Sequence, residues 1–321
     1  MACKYVTIVI QNLVSSNDTI MKQQSNMISF AEKFGTEEKC LQFLTQEKWG
    51  LGYSCRKCNH NVFIKGRTWH HRRCQKCRYD ESCTAHTLFH KLKFPLVSAF
   101  WIVYQLSTLK KGMSTLEISR QYGIHQENAW FFKRKVQAAM QSQGRTKLSG
   151  IVQVDETVIG GFEPGAVGRS KGKRRSIQIA VEIEPTDDGA GKVKMINACA
   201  VIIDDYSSKE LSSGMEKMLD ENAAVITDEW TAYPNAVGGR FHITLPSDKG
   251  NSMPEIHRLI FNLKNWIRGT HHKVSGQHLQ SYLDEFFYKF NRRNCLEILP
   301  KGILRSMIKH PWLPFKLAVA A

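Results

Sequence analysis

Cys55-Arg-Lys-Cys58 and Cys74-Gln-Lys-Cys77 place four thiols in two Cys-x-x-Cys pairs on either side of residues 59–73. Each pair fits a tight turn that aims two thiolates at one side of a metal ion. The segment between is long enough for a β-hairpin that brings the turns together. Four such ligands close a tetrahedron around Zn²⁺ and leave no open position, so the ion would staple a small module, a zinc ribbon, and do no chemistry itself. The module would present Lys65, Arg67, Trp69, His70, His71, Arg72 and Arg73. Basic and aromatic groups together suit a nucleic-acid backbone and its bases.

A second set of chemical residues is acidic. Asp155 closes the apolar run from Ile151, and Asp228 closes the run Ala223-Ala-Val-Ile-Thr227. Taken singly, an Asp at a strand end more often caps a turn. Two of them, from two strands, can converge on one site and offer hard oxygen ligands to Mg²⁺ or Mn²⁺.

The elements that must position these groups follow from periodicity. Residues 1–27 read as an extension with little to bury, and Met27 as a candidate functional start. Residues 28–90 hold a short amphipathic helix from Thr36 and the ribbon. Residues 91–145 are helical: an apolar helix over 95–109, a capping box at Ser114-Thr-Leu-Glu117, a helix closed by Gly123, and another over 126–140. Helix, Gly-containing turn, helix is the layout of a helix-turn-helix, and Lys133, Arg134 and Lys135 on its second helix are candidate DNA-binding residues with Arg72 and Arg73. A three-helix packing unit with a solvated basic face is the competing reading.

From residue 148 the period changes to that of strands. Asp155 ends the first, and runs at 176–183 and 195–203 continue an antiparallel meander. A helix over 207–219 and the strand ending in Asp228 follow. The stretch 168–175 is a basic loop, with Lys173, Arg174 and Arg175 as further DNA-binding candidates. Ser252-Met-Pro-Glu255 reads as another capping box, opening a helix to about Ile267. On it His257 and Lys264 share one flank, and Glu255 and Asn262 the other. A last amphipathic helix carries Leu283, Phe286, Phe287 and Phe290, leaving 297–321 as a tail. Strand-Asp, two strands, helix, strand-Asp, helix is the order of an RNase H-like domain, here over 148–296. The fold class expected is therefore multi-domain α/β: zinc ribbon and helix-turn-helix, then an RNase H-like mixed sheet with flanking helices.

Composition fits a polyanionic partner. Lys and Arg total 45 against 29 Asp and Glu, a formal charge of +16, which attracts nucleic acid whatever its sequence. The cysteines outside the two pairs are scattered and odd in number, which argues against a disulfide framework and for a reducing cytoplasm. No stretch approaches a membrane span, and no signal peptide is read.

Val154-Asp-Glu-Thr-Val-Ile-Gly-Gly161, Thr227-Asp-Glu-Trp-Thr-Ala-Tyr233 and Asn262-Leu-Lys-Asn-Trp-Ile-Arg-Gly-Thr-His-His272, with Tyr282-Leu-Asp-Glu-Phe286 and Phe290-Asn-Arg-Arg293, resemble bacterial insertion-sequence transposases with an ISXO2-like DDE-type domain. The resemblance runs over about residues 28–296. It implies metal-dependent DNA cleavage and strand transfer at element ends, with double-stranded DNA as partner and a homo-oligomer to join two ends. Asp155 and Asp228 would be the first two metal ligands and Lys264 the basic residue seven positions after the third. That third position is His257, where the pattern expects an acid; Asn262 ranks second and Glu255 third. The alternative function is a transposase-derived protein that binds DNA without cutting it.

Overall fold

The computed structural model describes residues 26–141, 147–160, 174–186, 193–246, 248, 251–271 and 274–320. The extension before Asn26 and Lys173 of the basic loop lie outside them.

The amino-terminal half is helical around an inserted ribbon. Helices α1 (Met27–Phe34) and α2 (Glu37–Trp49) are capped by Asn26 and Thr36, whose side chains accept from backbone amides three residues on. Strands β1 (Phe63–Lys65), β2 (His71–Cys74) and β3 (Asp80–Ser82) form an antiparallel sheet in that order. Helix α3 (Leu96–Thr108) has no cap of its own, and the Glu37 carboxylate on α2 accepts from the Leu96 and Val97 amides instead. The capping box at Ser114 forms, opening α4 (Thr115–Tyr122). Gly123 ends it at φ 61°, a left-handed conformation that costs glycine little, before α5 (Gln126–Met140).

The second half is a five-stranded mixed sheet in the order β6-β5-β4-β7-β8. Its strands are β4 (Ile151–Ile159), β5 (Arg175–Pro185), β6 (Val193–Ile203), β7 (Ala224–Thr227) and β8 (His242–Thr244). The meander is antiparallel and β7 and β8 add in parallel. Helices α6 (Ser208–Met218) and α7 (Tyr233–Ala236) pack on one face over Val152, Val154 and Val225. Helices α8 (Pro254–Thr270) and α9 (Leu279–Asn291) cover the other over Ile177, Ile179 and Val181. The period-2 alternation of β4 thus sends Gln153 and Asp155 towards α8, and Glu156 towards α7. This is the RNase H-like architecture expected.

Two expectations need correction. Residues 297–321 are no tail: α10 (Leu299–Lys309) buries Ile303, Leu304, Met307 and Ile308 in the core of α1 to α5, and α11 (Phe315–Ala320) follows. Its period-3.6 apolar stripe was readable; its partner, some 170 residues upstream, was not. The short edge strand β8 was also missed, because three residues are too few to show alternation.

Candidate functional site

The four ribbon thiols converge. Their sulfurs lie within 4.8 Å of one another, with Cys55–Cys77 and Cys58–Cys74 each at 3.5 Å. Tetrahedral Zn²⁺ with ~2.3 Å Zn–S bonds needs sulfurs about 3.8 Å apart, so the donor set fits zinc closely. Burial alone would raise the Cys55 thiol, but amide hydrogen bonds from Lys57 and Cys58 pull it below its ordinary value, towards thiolate. Among the described residues, the apolar groups buried around the cluster are Tyr53, Cys55 and Cys74, too small a core to hold the module without metal. The ribbon is tied to α2 through Lys48, which pairs with buried Glu81 at 2.7 Å and donates to the Ser82 and Ala85 carbonyls.

The strand-end acids also converge. Register pairs Gln153 with Ile226, so two residues further along these parallel strands Asp155 stands beside Asp228. Both line a shallow cleft with Pro246, Asp248, Ser252, Met253 and His257. Asp155 is 91 % buried and accepts from the Glu156 amide; Asp228 accepts from the Trp230 amide. Thr227, fully buried, donates to the Asp228 carbonyl and lies 2.9 Å from His242, fixing the end of β7. Beneath the sheet Tyr233 donates a short hydrogen bond to Glu156, anchoring the other face of β4.

Of the three candidates on α8, His257 reaches the cleft: its Nδ1 lies 3.8 Å from Asp155 Oδ2. Burial holds its imidazole below the ordinary value, against the pull of Asp228, so the ring is neutral at pH 7 and free to take a proton or a metal. Asn262 is exposed and does not line the cleft. Glu255 is no helix cap. Ser252 donates to the Pro246 carbonyl, and the Glu255 carboxylate accepts from the Gln153 amide group, whose oxygen in turn accepts from the Ile256 N–H. A buried glutamine on β4 has taken over the capping, because both ends of its amide need partners there. Sequence reasoning missed Asp248, an acid of the turn between β8 and α8. Its only signal was position, in a segment composed like any turn.

Lys264 is half-buried on the His257 flank of α8, near enough to Asp155 to feel its charge. Burial lowers its ammonium, the Arg268 and Arg174 guanidiniums add to that, and Asp155 opposes them. Arg174 thus stays near the cleft, whereas exposed Arg175 lies over Gly276, where a Cβ would meet its guanidinium. In the ribbon Arg72 stacks on Phe63 and Arg73 pairs with Asp80, so both are partly engaged.

The basic triplet of α5 is a correction. Lys133, Arg134 and Lys135 are 0, 4 and 2 % exposed and present no surface to DNA. Lys133 donates to the Met113 carbonyl and pairs with fully buried Glu285 at 3.6 Å. Arg134 donates to the Tyr282 hydroxyl, Gln137 to Glu285, and Lys135 to the His90 carbonyl. Burial pushes both lysines down to about 8, Glu285 partly restoring Lys133. The reason is the tertiary partner: α9 lies against α5 and supplies the carboxylate and phenol that make burial of cations tolerable. On the α4–α5 unit the exposed polar groups are instead Arg120, Gln121, His125, Gln126 and Glu127 around the turn.

Among the described residues no helix is long and apolar enough to cross a membrane. No curated protein matches the chain. Residues 147–291, the sheet with β4 to β8 and the helices α6 to α9, match the family described as the ISXO2-like transposase domain. Over these residues the chain is similar to that transposase family.

Proposed function

We propose that the protein is a DDE-type DNA transposase that cuts strands at the ends of its insertion sequence and joins them to target DNA, using Mg²⁺ or Mn²⁺ in the cleft and Zn²⁺ in the ribbon. The observation that carries this reading is the meeting of Asp155, Asp228, Asp248 and His257 in one cleft of a transposase-family domain. Three carboxylates and a neutral imidazole are a donor set that fits hard divalent ions, the imidazole favouring Mn²⁺. Asp155 and Asp228 would hold such an ion, with Asp248 or His257 completing its protein ligands. When bound, the ion lowers the pKa of a water or 3′-hydroxyl and neutralises charge on the phosphate.

The chain's own residues do the remainder. Where Asp248 completes the ion's ligands, His257, neutral and against Asp155, is left to accept the proton of the attacking water or hydroxyl. The new P–O bond forms as the P–O3′ bond breaks, and the departing O3′ takes a proton from solvent to become a free 3′-hydroxyl. In joining, that hydroxyl attacks a target phosphate in the same way. Lys264, Arg268 and Arg174 hold the strand by its phosphates. The ribbon's exposed Lys57, Lys65, Arg67 and Lys76, and the α4–α5 turn with Arg120, Gln121, His125 and Gln126, are the surfaces offered to the duplex. Joining two ends calls for two or more copies of the chain.

The test is strand cleavage on duplexes carrying the terminal inverted repeats that flank the gene. Asp155→Asn or Asp228→Asn abolishes cleavage in either metal and leaves filter binding within about threefold, since binding rests on phosphate contacts. Cleavage near the wild-type rate by either variant overturns the reading. Asp248→Asn and His257→Ala, compared in Mg²⁺ and Mn²⁺, identify the third ligand by which loss Mn²⁺ relieves. Cys74→Ser releases one Zn²⁺ per chain and weakens end binding; protein purified without zinc would refute the ribbon.

A further inference from the structure

The flank of α8 that faces the cleft carries a residue the chemistry above does not use. Phe261 is 63 % exposed, although α8 has a well-buried apolar face of Ile256, Leu259, Ile260, Leu263 and Ile267. At ~100° per residue it stands about 40° from His257 and 60° from Lys264 around the helix. Along the axis it lies ~6 Å beyond His257 and ~4.5 Å before Lys264. Arg268 falls between Phe261 and Lys264 on the same stripe, and exposed Arg258 lies just outside it. His257 lines the cleft 3.8 Å from Asp155, and Lys264 feels the charge of Asp155, so the stripe starts at the cleft and runs along α8 beside it.

A lone exposed phenyl is common on protein surfaces. This one sits in a row of cations, one helical turn from His257, which lies 3.8 Å from Asp155. The cations attract a polyanion and repel basic partners, and the phenyl offers only a flat π-face and no hydrogen bond. A strand whose phosphates lie on Lys264 and Arg268 therefore brings a base to Phe261. Inside a duplex both faces of a base are already stacked. The phenyl can gain contact only at a duplex end or on a base that has left the stack.

We propose that Phe261 is a positioning residue that stacks on an unpaired nucleobase next to the scissile phosphate, holding the element end open in the cleft. The inference rests on the proposed cleavage reaction and adds a substrate state to it: DNA locally unpaired at the cut site.

Two duplexes with the same terminal repeat test it, one fully paired and one with the bases flanking the cut mismatched. Stacking worth ~1–3 kcal/mol per base corresponds to a loss of roughly 5- to 150-fold when the ring is removed. Phe261→Ala is expected to lose that much on the paired duplex and to recover to within about threefold of wild type on the mismatched one, while Phe261→Trp cleaves both. Equal loss on both duplexes, or none on the paired one, overturns the proposal. A binding readout separates it from the reaction itself. 2-Aminopurine at the position flanking the cut should brighten when the fully paired duplex binds wild-type protein or Asp155→Asn, and not Phe261→Ala. If wild type binds this probe without cleaving it, the reaction assignment fails while the fluorescence still decides the stacking; no brightening with wild type rejects the stacking.

Discussion

Two basic clusters look interchangeable in the sequence and do opposite work in the fold. Lys133-Arg134-Lys135 is a contiguous run on a helix-turn-helix helix, the usual signature of a DNA-facing surface, yet all three side chains are buried. Arg174, Lys264 and Arg268 are dispersed over 95 positions and gather beside Asp155 at the cleft. The difference lies in what each cluster meets. The first faces α9, whose Glu285, 0 % exposed, and Tyr282 compensate the charge and lock α5 to the five-stranded-sheet half. The second gathers beside Asp155, and in the proposed function its cationic charge is left for a phosphate. Charge in a sequence says that a partner exists; only the fold says whether the partner is the protein itself.

Removing the internal partner should have the largest effect. Glu285→Ala leaves the Lys133 ammonium buried and unpaired, and should lower unfolding free energy by about 3–5 kcal/mol in urea denaturation. The double variant Lys133→Met/Glu285→Leu should regain most of that loss, since two apolar groups of similar volume carry no desolvation cost. If Glu285→Ala unfolds like wild type, the seam is not structural and the comparison fails at its first half.

Lys264→Ala is the matching change in the other cluster. It should reduce cleavage about 10²–10³-fold, as loss of a group stabilising transition-state charge does. Its cost in stability should be under about 1 kcal/mol, because Lys264 is only half-buried. Cleavage within a few-fold of wild type would remove Lys264 from the site.

Salt dependence separates the clusters more finely. Lys264→Ala and Arg268→Ala should each flatten the slope of log binding constant against log salt by about 1, since each removes one phosphate contact. Lys135→Met, which changes a buried hydrogen bond to the His90 carbonyl, should leave the slope unchanged. A flatter slope for Lys135→Met would return the α5 triplet to the DNA surface.

Local signals in the chain carried most of the architecture. The Cys-x-x-Cys pairs, the Ser114 capping box, the apolar meander and the strand-end aspartates each contain their own physical reason within a few residues, and each appears in the structure where it was read. What failed depended on distance. The Ser252 capping box lost to Gln153, about 100 residues upstream, because a buried amide outcompetes a surface hydroxyl for the helix N-terminus. The burial of the α5 triplet needed Glu285, and α10 needed the amino-terminal core; no local window contains either pair. Asp248 was invisible because its turn has no periodicity. His257 was legible from its place seven residues before Lys264 in the family pattern; helical arithmetic puts the two on one flank, and only the fold places that flank beside Asp155.

The smallest expected effect is a pH slope. Lys133 gives up its proton near pH 8 in the folded protein, against an ordinary value of 10.5, because burial disfavours the ammonium more than Glu285 restores it. Between those values the unfolded chain binds more protons than the folded one, so this group makes stability rise with pH across that window and contributes no slope below it. Lys135, pushed down to about 8 by burial, adds a rise of the same sign. Urea midpoints at about pH 7.5 and 9.5 should therefore separate less in Lys133→Met or Lys135→Met than in wild type, and least in the double variant. Lys133 and Lys135 would be solvent-facing after all if wild type and the double variant showed the same difference between the two pH values, because an exposed lysine keeps one pKa in both states and contributes no slope.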